Sequence, residues 1–171
     1  MNKKLLFLSL YYPPDIGPGS FRIKSIIDTI DNKKLSKTYL ITSYPFRYPD
    51  FKISFDDFKK LYNLTSNNFD IYEKDNLNIY RIKLRAHKNT MISQILSYFK
   101  YFFYVIKISI SIKPDLIFAT SGRLMTAFLA YIVSKLTKAT LIIEIRDIFS
   151  YGIKNHNFFK LKFLNIIFSK I

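Results

Sequence analysis

The sequence predicts an α/β fold, a Rossmann-like parallel sheet flanked by helices on both faces. Three observations carry this expectation. Short continuous apolar runs read as strands buried on both sides rather than as half-exposed strands. These runs alternate with segments whose apolar residues recur at helical spacing, the order that a parallel sheet with helical crossovers requires. The joints that follow several of the runs hold Gly, Pro and Ser, which end strands and open helices. At 171 residues the chain matches a single domain, at about 150 residues per domain.

Lys4 to Ser9 (KLLFLS) is the first such strand, closed by Pro13, Pro14, Gly17, Pro18 and Gly19. Met1 to Tyr12 imitates a signal peptide, but no small-residue cleavage site follows, and a buried first strand explains the apolar run better. Ser20 can cap a helix carrying Ile23, Ile26, Ile27 and Ile30 at helical spacing. Thr38 to Thr42 is a second strand. Tyr44 to Asn76 reads as an extended loop with one short helix over Phe55 to Leu61, and Leu77 to Leu84, with imperfect alternation, as a third strand.

Met91 to Ile112 is the longest helix. One apolar face holds Ile92, Ile95, Leu96, Phe99, Phe102, Phe103, Ile106 and Ile110; Tyr98, Tyr101, Val105, Ile108 and Ile112 widen it. A polar stripe of Ser93, Ser97, Lys100, Tyr104, Lys107 and Ser111 remains. Lys100 and Lys107 interrupt the apolar run, so no membrane span is expected. Pro114 stops the helix. Asp115 to Thr120 is a fourth strand, Leu124 to Leu136 a helix, Thr140 to Ile145 a fifth strand, and His156 to Ile171 a last amphipathic helix.

Composition removes several functions. With 49% hydrophobic and 18% aromatic residues the chain is not of the disordered class. The absence of cysteine excludes disulfide scaffolds, thiolate metal sites and cysteine nucleophiles. The two histidines, His87 and His156, are far apart, which leaves little for a histidine metal site or a Ser-His-Asp centre; neither a metal nor a cofactor is expected. The formal charge is +15, and after residue 90 eleven bases face three acids. That half is the one expected to meet an anionic surface. Its bases alternate with apolar stretches instead of forming a stripe with stacking aromatics, so nucleic acid is not the expected partner.

Ligands of parallel α/β sheets sit beyond the carboxyl ends of the strands, where strand order switches. That rule selects three loops: Tyr11 to Arg22, Thr120 to Arg123, and Arg146 to Tyr151. The first places Gly17 and Gly19 ahead of a helix start, with Ser20 and Arg22 beside them, an anion-binding arrangement or a plain Pro/Gly turn. It is neither a G-x-G-x-x-G fingerprint nor a P-loop. In the second, Ser121 and Gly122 can hold a hydroxyl or phosphate, or simply cap a helix. The third concentrates Glu144, Arg146 and Asp147, where a carboxylate can orient hydroxyls or accept a proton; an ion pair of Arg146 within the loop is the plainer alternative.

The order Y-Y-P-P-D-I-G-P-G-S-F-R, then K-P-D-L-I-F-A-T-S, then a strand ending in E-I-R-D, resembles the N-terminal domain of glycosyltransferase family 4, especially bacterial enzymes of lipopolysaccharide O-antigen and capsule assembly. The resemblance covers residues 4 to about 171. It implies the N-terminal half of a GT-B fold, which binds a lipid-linked or glycan acceptor while a C-terminal domain binds the nucleotide-sugar donor. Carried over by position, Gly17, Gly19, Ser20 and Arg22 form the glycine-rich loop facing the donor phosphates. Ser121 and Arg146 line the acceptor side, and Asp147 is the candidate catalytic carboxylate. Gly122-Arg123 replaces the proline common in relatives.

The family's two glutamates spaced by seven residues cannot occur, because Glu73 and Glu144 are the only glutamates. The expectation is therefore a single acceptor-binding domain over residues 1–171, shortened at its C-terminal end and without its donor half. By itself it would be inactive, cytoplasmic, and attached to the anionic inner face of a bacterial plasma membrane. The rival expectation is a non-catalytic peripheral membrane or partner-binding module with the same fold.

Overall fold

The computed structural model describes residues 3–30, 35–45, 60, 69–74, 77–84, 91–120 and 124–145. The elements run β1 (Lys3–Leu8), α1 (Pro18–Asp28), β2 (Leu35–Ser43), β3 (Phe69–Lys74), β4 (Leu77–Ile82), α2 (Met91–Ile112), β5 (Leu116–Thr120), α3 (Leu124–Thr137) and β6 (Thr140–Glu144). The sheet order is β3-β4-β2-β1-β5-β6. Five strands are parallel, and β3 joins as an antiparallel edge on β4. This is the predicted α/β, Rossmann-like sheet flanked by helices.

From β1 the strand order runs one way to β2 and the other way, later in the chain, from β5 to β6. Right-handed crossovers then require helices on opposite faces. The packing agrees. Leu5 and Phe7 of β1 share a core with Ile23 of α1 and Leu40, Leu77 and Ile79. Leu6 and Leu8 point the other way, into a core with Tyr101, Val105, Ile108 and Ile112 of α2 and Leu129, Ala130 and Val133 of α3. Phe7 and Phe118, paired across β1 and β5, stack tilted at 5.5 Å.

The amino end of the sheet is tied by Asp115. Its Oδ2 accepts from the Lys4 amide at 2.8 Å, and its carbonyl accepts from the Thr140 amide at 3.0 Å, joining β1, β5 and β6. Just before it, α2 stops because Lys113 turns left-handed (φ 51°) and Pro114 cannot continue a helix. Lys4 Nζ donates to the freed Ile112 carbonyl at 3.1 Å.

Three sequence expectations change. The stretch Tyr44 to Asn76 is not all loop, since it contains β3. The signal was present: Phe69, Ile71 and Glu73 alternate with Asp70, Tyr72 and Lys74, and Asp75-Asn76, a turn-type pair, leads to β4. Ser20 is not a cap; α1 begins at Pro18, whose fixed φ and missing N–H suit the first helical position, and Gly17 is the N-cap residue. In α2 the core takes the side of Tyr101, Val105, Ile108 and Ile112, together with Ser97 and Ser109, and leaves Phe99 and Phe103 exposed. On this side Ser97, Val105, Ser109 and the isoleucines leave room for one large ring, Tyr101, whose hydroxyl reaches the Ile41 carbonyl at 3.4 Å. Periodicity alone could not choose between two apolar sides. The expected helix over His156 to Ile171, and the short one over Phe55 to Leu61 apart from helical Lys60, lie outside the described residues.

Candidate functional site

Strand order reverses at β1, so the crevice expected to receive ligands opens between the carboxyl ends of β1 and β5. Two of the selected loops follow these strands, and the third follows β6, the next neighbour. The sheet thus brings the strand ends that lead into all three loops to one edge.

The loop after β1 is built from below. The Leu10 carbonyl accepts from the Ser43 amide at 3.2 Å and from Ser43 Oγ at 2.7 Å, fastening the loop to the end of β2. Ser9 Oγ donates to the Tyr11 carbonyl at 2.8 Å. Arg81, near the end of β4, is fully buried; its Nη1 donates to the Ser43 carbonyl at 3.0 Å and its Nη2 to the Pro13 carbonyl. The guanidinium also lies 5.7 Å from the centre of the Tyr12 ring. Asp15 is buried in the same loop, where its amide closes a turn onto the Tyr12 carbonyl at 3.1 Å. The Pro13–Pro14 bond is cis.

Above this base stand Gly17, Gly19, Ser20 and Arg22. Gly17 is extended (φ 169°, ψ 156°), so its position does not demand a left-handed residue. Its carbonyl accepts from the Ser20 amide at 3.0 Å and the Phe21 amide at 3.2 Å, starting the helix. Ser20 is buried at the third helical position, with no hydrogen-bond partner for its Oγ. A buried hydroxyl without a protein partner carries a desolvation cost.

Arg22 Nε donates to Glu144 Oε1 at the end of β6. The plainer alternative, an Arg146 ion pair within the loop after β6, lies outside the described residues. The partner of Glu144 comes from the first crossover helix, 122 residues earlier in the chain. Glu144 pairs in register with Thr120 and lies on the α1 side of the sheet, as Phe118 does two residues before Thr120. Its side chain is 16% exposed against 57% for Arg22, and its Oε2 is buried without a hydrogen-bond partner. A half-exposed guanidinium therefore stands on a carboxylate that has one oxygen still to satisfy.

Of the predicted site residues, Gly17, Gly19, Ser20 and Arg22 lie together at the start of α1, and Arg22 reaches Glu144. Ser121, Arg146 and Asp147, with Gly122 and Arg123, lie outside the described residues. One residue, Arg81, and one contact, Arg22 with Glu144, escaped the sequence reading. Arg81 had a signal, because it stands two after Ile79 on the apolar side of β4 and causes that strand's imperfect alternation. The Arg22–Glu144 pair had none, since sequence distance says nothing of which helix meets which strand end. Among the described residues no group of three His, Cys, Asp or Glu could hold a metal ion.

No protein-family model matches the chain, and no curated protein is detectably similar to it.

Proposed function

We propose that this chain is the acceptor-binding half of a GT-B sugar transferase, serving transfer of a glycosyl group from a nucleotide sugar to a lipid-linked or glycan acceptor in cell-surface polysaccharide assembly. The observation that carries the proposal is the meeting of Arg22 and Glu144 beside the Gly17–Gly19 loop, at the edge where parallel sheets bind ligands. Arg22 offers a fork of N–H donors to a phosphate oxygen, assigned in this proposal to the diphosphate of a lipid-linked acceptor in place of the donor phosphates that the resemblance implies. Glu144, with Oε1 engaged and Oε2 buried and unsatisfied, accepts from a sugar hydroxyl. Ser20 Oγ supplies a further polar contact at the helix start. In this reading Ser121 and Arg146 line the acceptor side, and Asp147 accepts the proton of the attacking hydroxyl.

Nucleotide-sugar binding falls to a second domain, because the chain cannot hold the paired glutamates of the resembled family. Positioning the two substrates supplies much of the rate, so the chain alone binds acceptor without turnover. The test incubates purified 1–171 with a short-chain polyprenyl-diphosphate sugar and a panel of nucleotide sugars. Saturable acceptor binding without transfer is expected. No acceptor binding would sink the proposal, and transfer by the chain alone would place a donor site inside it. The second reading, a non-catalytic peripheral module, draws on the exposed apolar side of α2 and α3. Arg22→Ala separates the two, since only the transferase reading requires that side chain.

A further inference from the structure

The outward sides of α2 and α3 form a continuous apolar surface. On α2, Ile95, Phe99 and Phe103 follow one another at four-residue spacing with Leu96 beside them, and α3 adds Met125 and Phe128; all six are exposed. The two helices adjoin, and the Tyr98 hydroxyl donates to the Met125 carbonyl at 2.5 Å. Contiguous exposed apolar surface of this kind marks a contact face rather than ordinary scatter.

Charge identifies what covers it. Neither helix contains an acid. Lys100 and Lys107 follow Leu96 and Phe103 by four residues and so border the ridge, and exposed Lys135 and Lys138 close α3. Lys100 Nζ lies 5.9 Å from the Tyr104 ring centre and Lys135 Nζ 5.4 Å from that of Tyr131. Paired lysine and tyrosine side chains at the border of an apolar face suit a headgroup layer. A second copy of this face would set lysine against lysine, whereas an anionic bilayer complements both the apolar ridge and its cationic border.

Ile95–Ile112 is long and apolar enough to cross a membrane, with a mean hydropathy of 1.4. However, Tyr101, Val105, Ile108 and Ile112 are held in the sheet's core. One side of α2 is committed to protein, so the helix is oriented to lie along a surface. We infer that the outer face of α2 and α3 seats the protein on an anionic lipid surface. The inference does not depend on the transferase reading.

The chain has no tryptophan, so a single introduced indole reports on its own position. Phe99→Trp and Phe128→Trp place it on this face, and Phe21→Trp places it on exposed α1 across the sheet. Each variant is mixed with phosphatidylcholine vesicles and with vesicles containing phosphatidylglycerol. Only the first two should blue-shift and resist acrylamide, and only with anionic vesicles. Lys100→Gln with Lys107→Gln should lower partitioning about 30-fold at low salt, at about 1 kcal/mol per lysine. Circular dichroism checks that each variant is folded. Equal protection at Phe21→Trp, no protection at any position, or a shift that tracks protein concentration without vesicles would each overturn the inference, the last in favour of self-association.

Discussion

Arg81 and Arg22 stand at the same carboxyl edge, yet one is wholly buried and the other more than half exposed. Arg81 spends its donors on two backbone carbonyls of neighbouring segments and meets an aromatic ring. Arg22 reaches one carboxylate across the surface. The first belongs to the architecture of the β1 loop, because removing it leaves the buried Ser43 carbonyl and the part-buried Pro13 carbonyl without this donor. The second is held loosely enough to change partners. The edge therefore divides into a fixed foundation under β1, β2 and β4 and an exchangeable polar pair over β6.

The largest effect expected from this contrast is at Arg81. Arg81→Met keeps most of the volume but strands the Ser43 and Pro13 carbonyls, and should lower stability by about 3 kcal/mol, at 1–3 kcal/mol per unsatisfied buried group. Urea unfolding measures it, and a loss below 1 kcal/mol would show that the loop does not depend on this clamp.

Next in size is an alkaline effect on the other side of the sheet. Burial raises the Tyr101 hydroxyl well above its ordinary value, with the nearby Tyr98 adding to it, and burial pushes Tyr98 up to about 12. Both hydroxyls stay neutral in the fold after the unfolded chain, near pH 10, has begun to ionise. Their stabilisation is complete below pH 10 and is lost as pH rises toward 12. Tyr101→Phe should flatten that decline while changing stability little at neutral pH. A decline of unchanged steepness in the variant would place its cause elsewhere.

Smaller still are the effects at the exchangeable pair. Arg22→Ala should lower stability by about 1 kcal/mol, the upper end for an exposed ion pair, because Glu144 is mostly buried although Arg22 is not. Ser20→Ala removes a buried hydroxyl that has no partner, so stability should hold or rise by a few tenths of a kcal/mol. Thermal unfolding of both variants checks this, and a loss above 2 kcal/mol in either would make the residue structural rather than ligand-directed.

Much of the architecture was legible because it rests on local periodicity. The runs KLLFL and LIFAT read as buried strands and lie inside the sheet, TLIIE reads the same way but ends the described strand order with Ile142 and Ile143 exposed, and the order of strands and helices pointed to a parallel sheet. What escaped depends on contacts distant in the chain. Strand β3 is an edge strand whose alternation is half polar, and the choice of the buried side of α2 was made by the sheet it packs on. At the site, Gly17, Ser20 and Arg22 were readable as a loop between strand and helix. Their partner Glu144 was readable as a carboxylate at a strand end, but their meeting was not, because it depends on α1 crossing the face on which β6 presents that side chain.

The central claim is that Arg22 is an anion-binding cation restrained by Glu144. Calorimetric titration of a short-chain polyprenyl diphosphate into the wild-type chain, Arg22→Ala and Glu144→Gln tests it most directly. Removing the carboxylate charge frees the guanidinium, so Glu144→Gln should bind at least as tightly as wild type, and Arg22→Ala at least tenfold more weakly, the loss of a charge-assisted contact of about 1.5–3 kcal/mol. Equal affinity in wild type and Arg22→Ala would contradict the account.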